Sequence, residues 1–542
     1  MKLKFMPLLL ILVSGFASHA QKKKKDVPPN IILIMVDDMG YSDLGSYGSE
    51  IHTPNLDKLA YEGIRFREFY NNSICAPTRA SLITGQYPHK AGVGYFDINL
   101  GLPPYQGYLN KESLTFGEVL KQAGYSTFLS GKWHVGNDKS GWPNQRGFDQ
   151  FYGIIGGASN YFNTDSIPLG RQYPVNLIEN NEKLHPKPDS YYLTDEITNH
   201  AVKFIDDQNN TGKPFFLYLA YTAPHWPLQA LPEDIAKYKG LYDKGWDEIR
   251  AKRLARQKES GLLDARQSVA ERDADVPAWK HLTYGEQQLW KSKMEVYAAM
   301  LDRVDQGVGK LLETLKRLKK DENTLIVFIS DNGAPAEDVE HWGGKAGINT
   351  GPVGTSGSFE SQGKNWSFVS NAPFRSFKSF AYEGGISSPF IAWFPKKIKA
   401  GGLVKGTAHL IDLAPTFYEL ADTKYPAVYN GIQTNPLPGK SLTGLLFEGK
   451  ELEREQPIFW ERAGNRAVRK GKWKLVSIFP SYQWQLYDLE TDRGETQNLA
   501  TRFPSVVDDL AALYFKWANE NGVVDYDKIK PATPLLPTNK KN

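Results

Sequence analysis

The run NIILIMV at Asn30–Val36 carries no charge until Asp37-Asp38-Met39-Gly40 ends it. A continuous apolar run closed by turn formers predicts a strand buried on both faces, with acidic residues at its carboxyl end. The pattern returns in TLIVFIS at Thr324–Ser330, closed by Asp331-Asn332-Gly333, and in the runs 214–221 (PFFLYLAY) and 390–394. Between them lie stretches whose apolar residues recur at helical spacing: 55–63, 114–123, 194–207, 284–319 and 412–421. Strands alternating with helices predict an α/β domain, a large mainly parallel or mixed sheet sandwiched by helices. Ligands of such sheets gather beyond the carboxyl ends of the strands, where both acidic pairs fall.

Two regions depart from this alternation. Residues 231–280 are charged and helix-prone without an apolar strand, which predicts an excursion on the surface near the substrate entrance. From about residue 441 the pattern changes to short strands at 458–461, 465–469, 473–478 and 485–488, then a helix at 505–519, the signature of a small antiparallel sheet with one helix. The predicted organisation is a signal peptide at 1–20, an α/β catalytic domain at 27–440 and a C-terminal α+β subdomain at 441–542.

With 542 residues, 41% of them hydrophobic, the chain can bury a large core. Lys and Arg number 65 against 61 Asp and Glu, too even a balance for nucleic-acid binding as the main activity. The first twenty residues join a basic start (Lys2, Lys4), an apolar run from Met6 to Val13 and small residues at Ser18 and Ala20. This predicts export to the periplasm or the outside of the cell. No later stretch approaches the roughly 20 apolar residues of an integral membrane span. A single cysteine, Cys75, excludes an internal disulfide and leaves its thiol to be explained by its neighbours.

Those neighbours are Cys75-Ala76-Pro77-Thr78-Arg79. Pro77 is tolerated in the first turn of a helix, so Cys75 is predicted just before a helix amino terminus, where free N–H groups favour an anion. Cys75-x-Pro77-x-Arg79 resembles the signature of the type I, formylglycine-dependent sulfatases of the alkaline phosphatase superfamily, arylsulfatase-like enzymes. The resemblance runs from Asn30 to about Trp517. It implies that a formylglycine-generating maturation enzyme oxidises Cys75 to 3-oxoalanine, whose hydrated aldehyde attacks sulfur and later expels sulfate.

It further implies that Asp37, Asp38, Asp331 and Asn332, with the modified Cys75, hold one divalent ion. Oxygen ligands suit calcium better than zinc. Gly131-Lys132-Trp133-His134 places Lys132 near the sulfate and His134 as the base. His225, in Ala223-Pro224-His225-Trp226-Pro227, and Lys378, in Phe374-Arg375-Ser376-Phe377-Lys378, assist departure of the alcohol, and Arg79 holds the nucleophile and neutralises carboxylates. His89 is a supporting residue, while Asn160, Tyr161, His341 and Trp342 are candidates for the substrate entrance. Relatives often carry Trp-Glu-His where this chain has Trp460-Glu461-Arg462, so Arg462 is a candidate substrate residue that suggests a more anionic ligand.

The expected function is hydrolysis of an O-sulfate on a sulfated carbohydrate, with exo action on a galactose-type sugar. A phosphate or phosphonate monoester hydrolase of the same superfamily is the alternative, though ligands for only one metal are found. A carbohydrate-binding module, suggested by 13% aromatic residues, leaves the charged constellation without a shared purpose.

Overall fold

The middle of the large sheet follows from residues that are apolar on both faces. Ile31, Leu33 and Met35 enter one core, while Ile32, Ile34 and Val36 enter another on the opposite face. The same alternation holds for Leu325, Val327 and Ile329 against Ile326 and Phe328, and for Phe216 and Tyr218 against Phe215, Leu217 and Leu219. Each such side chain, removed from water on folding, contributes roughly 1.5–3 kcal/mol.

The computed structural model describes residues 27–164, 176–185, 191–341, 349–450 and 454–529. The predicted signal peptide lies outside these residues. Among the described residues the large sheet has eleven strands. In chain order they are β1 (Asn30–Val36), β2 (Ile64–Tyr70), β3 (Ser126–Gly131), β4 (Gln150–Ile154), β5 (Leu177–Glu179), β6 (Glu182–Lys183), β7 (Phe215–Ala220), β8 (Thr324–Ser330), β9 (Ser387–Ser388), β10 (Phe390–Trp393) and β11 (Gly402–His409). Their spatial order is β11-β2-β10-β8-β1-β7-β3-β4-β5-β6, with β9 added to β2.

Pairings among β8, β1, β7, β3 and β4 are parallel, so these strands end along one edge. β10 is antiparallel to both β8 and β2, which brings its amino end to that edge and turns β2 to end there too. The sheet is therefore mixed, and the segment before β10, holding Lys378, meets the carboxyl ends of the others.

Helices Pro54–Glu62, Leu193–Gln208 and the long Tyr284–Arg317 cover one face, and Cys75–Thr84, Phe116–Gln122 and Leu413–Leu420 the other. Thr283 and Glu286 form a capping box at the start of the long helix. The strands Ile458–Arg462, Asn465–Lys470, Trp473–Ser477 and Trp484–Asp488 form the small antiparallel sheet, with helix Pro504–Glu520 packed on it. Buried Lys474 ties this sheet to the segment before β10, 2.9 Å from both Glu383 and Glu495.

The expected surface excursion at 231–280 is packed more deeply than its composition suggests. Helix Gly245–Glu259 buries Trp246, Ile249 and Arg253, and the Arg253 guanidinium pairs with Asp43 and Glu50. Asp43 in turn accepts from Gly40 N at 2.9 Å, so the excursion buttresses the loop after β1 from behind. An ionic brace of this kind satisfies charge without an apolar period, which is why the pattern of the segment concealed its burial.

Candidate active site

Helix Cys75–Thr84 starts at Cys75 itself, with Ile74 as the extended residue before it and Pro77 in the first turn. Arg79, four residues on, lies on the same helix face as Cys75. It reaches Asp37 Oδ2 at 3.3 Å and Asp331 Oδ2 at 3.2 Å, and it donates to the Lys132 carbonyl at 3.1 Å. One arginine thus ties together the ends of β1, β8 and β3. At the end of β3, Gly131 packs so closely on β7 that a Cβ would lie 1.8 Å from the Ala220 carbonyl. The next residue, Lys132, donates to Asp37 Oδ2 at 2.5 Å.

Asp38 faces the other way. Its Oδ2 accepts from Lys378 Nζ at 2.8 Å, and its Oδ1 accepts from Asn332 Nδ2 at 2.6 Å. Its backbone N–H donates to Asp331 Oδ1 at 3.1 Å. Asp38 and His134 both adopt left-handed backbone, at φ 67° and 58°, a conformation worth of order 1–3 kcal/mol of strain that persists where surroundings over-determine it. All of these side chains are buried.

His225 sits after β7, held from behind by Tyr161, whose hydroxyl donates to its carbonyl at 2.9 Å. Its Nδ1 lies 2.7 Å from the Trp226 carbonyl, which can only accept, so the proton is on Nδ1 and the Nε2 lone pair faces Asp38 Oδ2 at 3.4 Å. On the far side of the pocket His134 Nε2 stands 3.5 Å from Asp97 Oδ1.

Charge crowding moves the titrations. Burial works against the Asp37 charge, but Lys132, His225 and Arg79 outweigh it and hold the carboxyl far below the usual range. Burial pushes Asp38 up despite Lys378, and burial followed by repulsion from Asp37 pushes Asp331 well up. Burial also opposes the Cys75 thiolate, yet Lys132 and His134 bring the thiol down to about 7. His134 rises against its burial because Cys75 and Asp97 face it, while burial and Lys378 keep His225 well below its ordinary value.

The donor set fits a hard divalent cation. Asp37 Oδ1 and Asn332 Oδ1 are buried without a hydrogen-bond partner among the described residues. Ligating atoms of Asp37, Asp38 and His225 also converge within 4.8 Å of one another. Asp331 stands outside that convergence, its carboxylate engaged by Arg79 and by the Asp38 amide. Oxygen atoms orphaned in this way are costly unless a cation meets them.

The remaining sequence candidates divide. His89 is buried against Glu461 Oε2 at 2.8 Å, away from the charged floor. Asn160 links two loops, donating to the Ser356 carbonyl at 2.7 Å and accepting from Phe162 N and Asn163 N of its own loop. Arg462 stands at the rim, its guanidinium 5.2 Å from the ring centres of both Tyr95 and Phe96. The His341 side chain and Trp342 lie outside the described residues. Asp97 and Glu337, the latter 3.4 Å from Lys378, were not singled out in the sequence. Nothing local marks them, because their partners are distant along the chain.

A sequence profile of the family described as Sulfatase matches residues 29–423, and one described as N-sulphoglucosamine sulphohydrolase, C-terminal, matches residues 374–512. An uncharacterised sulfatase of Schizosaccharomyces pombe is 35% identical, covering 94% of this chain and 96% of its own length. The arylsulfatase of Klebsiella aerogenes is 36% identical over 78% of this chain and 92% of its own, and the N-acetylgalactosamine-6-sulfatase of Mus musculus 29% identical over 87% and 76%. The crystal structure of Ps i-CgsB in complex with k-i-k-neocarrahexaose superposes with a TM-score of 0.68 at 29% identity, covering 92% of this chain and 94% of that one.

Proposed function

The chain belongs to the sulfatase family and hydrolyses sulfate esters, and from that premise we propose that it removes an O-sulfate from a galactose-type saccharide, acting from the chain end. The observation that carries this reading is Cys75 at the head of a buried helix, with Lys132 and His134 shifting its charge and Lys378 beside Asp38. Depth supports exo action, since Cys75, His134, His225 and Lys378 are all buried and reward a terminal sugar over the middle of a polymer. The galactose-type sugar is supported by the N-acetylgalactosamine-6-sulfatase among the relatives.

Formylglycine made from Cys75 by a maturation enzyme would supply a hydroxyl nucleophile on a hydrated aldehyde. One calcium ion, held by Asp37, Asp38, Asp331 and Asn332 with residue 75, would supply Lewis acidity toward the sulfate oxygens. The chain's own side chains do the rest. Lys132 and Lys378 bind the sulfate, and Arg79, Lys132 and Lys378 face four carboxylates, those of Asp37, Asp38, Asp331 and Glu337, an acidic excess that favours a cation.

Asp97 keeps a proton on His134 Nε2, so Nδ1, buried and without a partner among the described residues, is open to accept one. Lys378 stands where charge grows on the departing alcohol, and His225 joins it there only once its Nε2 carries a proton. Arg79 fixes residue 75 by clamping the carboxylates around it. The predicted leader would export the protein to the periplasm or beyond, which cell fractionation with amino-terminal sequencing of the mature chain would check.

The test is the mass of the tryptic peptide containing residue 75 from active protein, together with sulfate release from sulfated galactosides and phosphate release from matched phosphate esters. Conversion of thiol to aldehyde with calcium-dependent sulfate release is expected. An unmodified thiol in active protein, or faster phosphate release, would overturn the proposal.

A further inference from the structure

Strand Ile458–Arg462 ends at Arg462, which pairs with Asn465 across a tight hairpin. Ala463 and Gly464 both have positive φ, 50° and 83°, the geometry of a primed two-residue turn. The turn is fixed from behind, where Gly464 N donates to Glu461 Oε1 at 2.9 Å and Glu461 Oε2 meets His89 at 2.8 Å. In front, Asn465 Nδ2 donates to the Ser379 carbonyl at 3.1 Å, next to Lys378. Ser379 N then donates to the Ser73 carbonyl at 2.6 Å, two residues before Cys75. The hairpin is thereby pinned to two segments that carry the chemistry.

A third link runs through aromatic rings. The Arg462 guanidinium lies 5.2 Å from the Phe96 ring centre, and the Phe96 ring lies 6.3 Å from that of His134. Cation–π contacts with Tyr95 and Phe96 orient the guanidinium without neutralising it. Among the described residues Arg462 has no carboxylate within pairing distance, and its Nε is buried with no hydrogen-bond partner. Buried Arg79, Arg253, Arg469 and Arg493 each meet a carboxylate, and buried Arg65 and Arg250, which lie over aromatic rings without one, each donate to a backbone carbonyl instead, whereas Arg462 has neither kind of partner among the described residues. A guanidinium taken partly out of water and left unpaired is costly, and the cost is recovered when an anion arrives. The ester sulfate has Lys132 and Lys378 at the floor, so the anion met at the rim is a different one.

We propose that Arg462 is a specificity-determining residue that receives a second anionic group, a sulfate or a carboxylate, carried by the same saccharide as the ester being cleaved. The proposal rests on the saccharide-sulfatase reading above. Spacing supports it, because Arg462 is no farther from His134 than the two ring distances combined, the span of one sugar residue and its substituents.

The test uses the full-length matured protein and three probes: a monosulfated galactoside, its disulfated counterpart, and a monosulfated disaccharide bearing a uronate. Arg462→Gln should lower kcat/KM on a doubly anionic probe by about ten- to hundred-fold, mainly through KM, as expected for losing a charge-assisted contact. The penalty on the monosulfated probe should be several-fold smaller, and Arg462→Lys should restore part of the difference. Loss on only the disulfated or only the uronate probe identifies the second anion. An equal factor on all three probes would overturn the proposal. Calorimetric titration of the same probes into Cys75→Ser protein, with and without Arg462→Gln, gives the same comparison without turnover. A wild type that releases no sulfate from any probe would therefore sink the functional reading while the titration still decides the role of Arg462.

Discussion

At the floor of the site Asp37, Asp38 and Asp331 meet Arg79, Lys132 and Lys378 in contacts between 2.5 and 3.3 Å, whereas at the rim Arg462 meets two aromatic rings and, among the described residues, no carboxylate. The floor is assembled from the ends of strands far apart in sequence, and each of its cations is paired with a carboxylate. The rim is built by one short hairpin and leaves a charge over. The difference separates two duties: the floor must be rigid before substrate arrives, while the rim is completed by the substrate and so can select it.

The sharpest way to break the floor is at its nucleophile. Cys75→Ser, made where the maturation enzyme accepts only cysteine, should fold but lose turnover by at least about 10⁴-fold. Sulfate release from protein of unchanged circular dichroism measures this, and full activity would remove the mechanism. Next comes the brace behind the floor. Arg253→Met strands Asp43 and Glu50 without their partner and should cost about 3–5 kcal/mol in denaturant unfolding, the range for breaking a buried ion pair.

Lys378→Ala should lower kcat by about 10²–10³-fold on a saccharide sulfate, as for removal of one transition-state donor. The loss should shrink on an aryl sulfate, whose alcohol leaves without help, and equal losses on both would argue against a role at the leaving group. Calcium added to chelator-treated protein at 100 times its Kd should raise stability by about 2.7 kcal/mol. Thermal melts read this, and Asp38→Asn should reduce the shift. The smallest effect belongs to the rim, where Arg462→Gln should change unfolding stability by no more than about 1 kcal/mol, because the two cation–π contacts it loses are offset by release of an unpaired guanidinium. A loss as large as that of Arg253→Met would erase the contrast between floor and rim.

Much of this was legible before the fold was known. Apolar runs closed by acidic pairs located β1 and β8 to the residue, and helical periodicity found the long helix Tyr284–Arg317 within two residues at its end. β2, with arginines at 65 and 67, and β11, with Lys405, were not seen, because polar residues interrupt their apolar pattern. Each found its place by pairing with a neighbour in the sheet.

The sequence by itself determined the buried central strands, the Cys75-x-Pro77-x-Arg79 motif and the set of residue types needed for an anionic ester, because each is written in a few adjacent positions. Only the tertiary structure decided that Asp97 faces His134, that Glu337 faces Lys378, that Arg253 braces the acidic loop and that Arg462 meets aromatic rings rather than a carboxylate among the described residues. Pairing between charges depends on distance in space, and residues brought together from opposite ends of a chain share no local pattern through which a sequence could announce them.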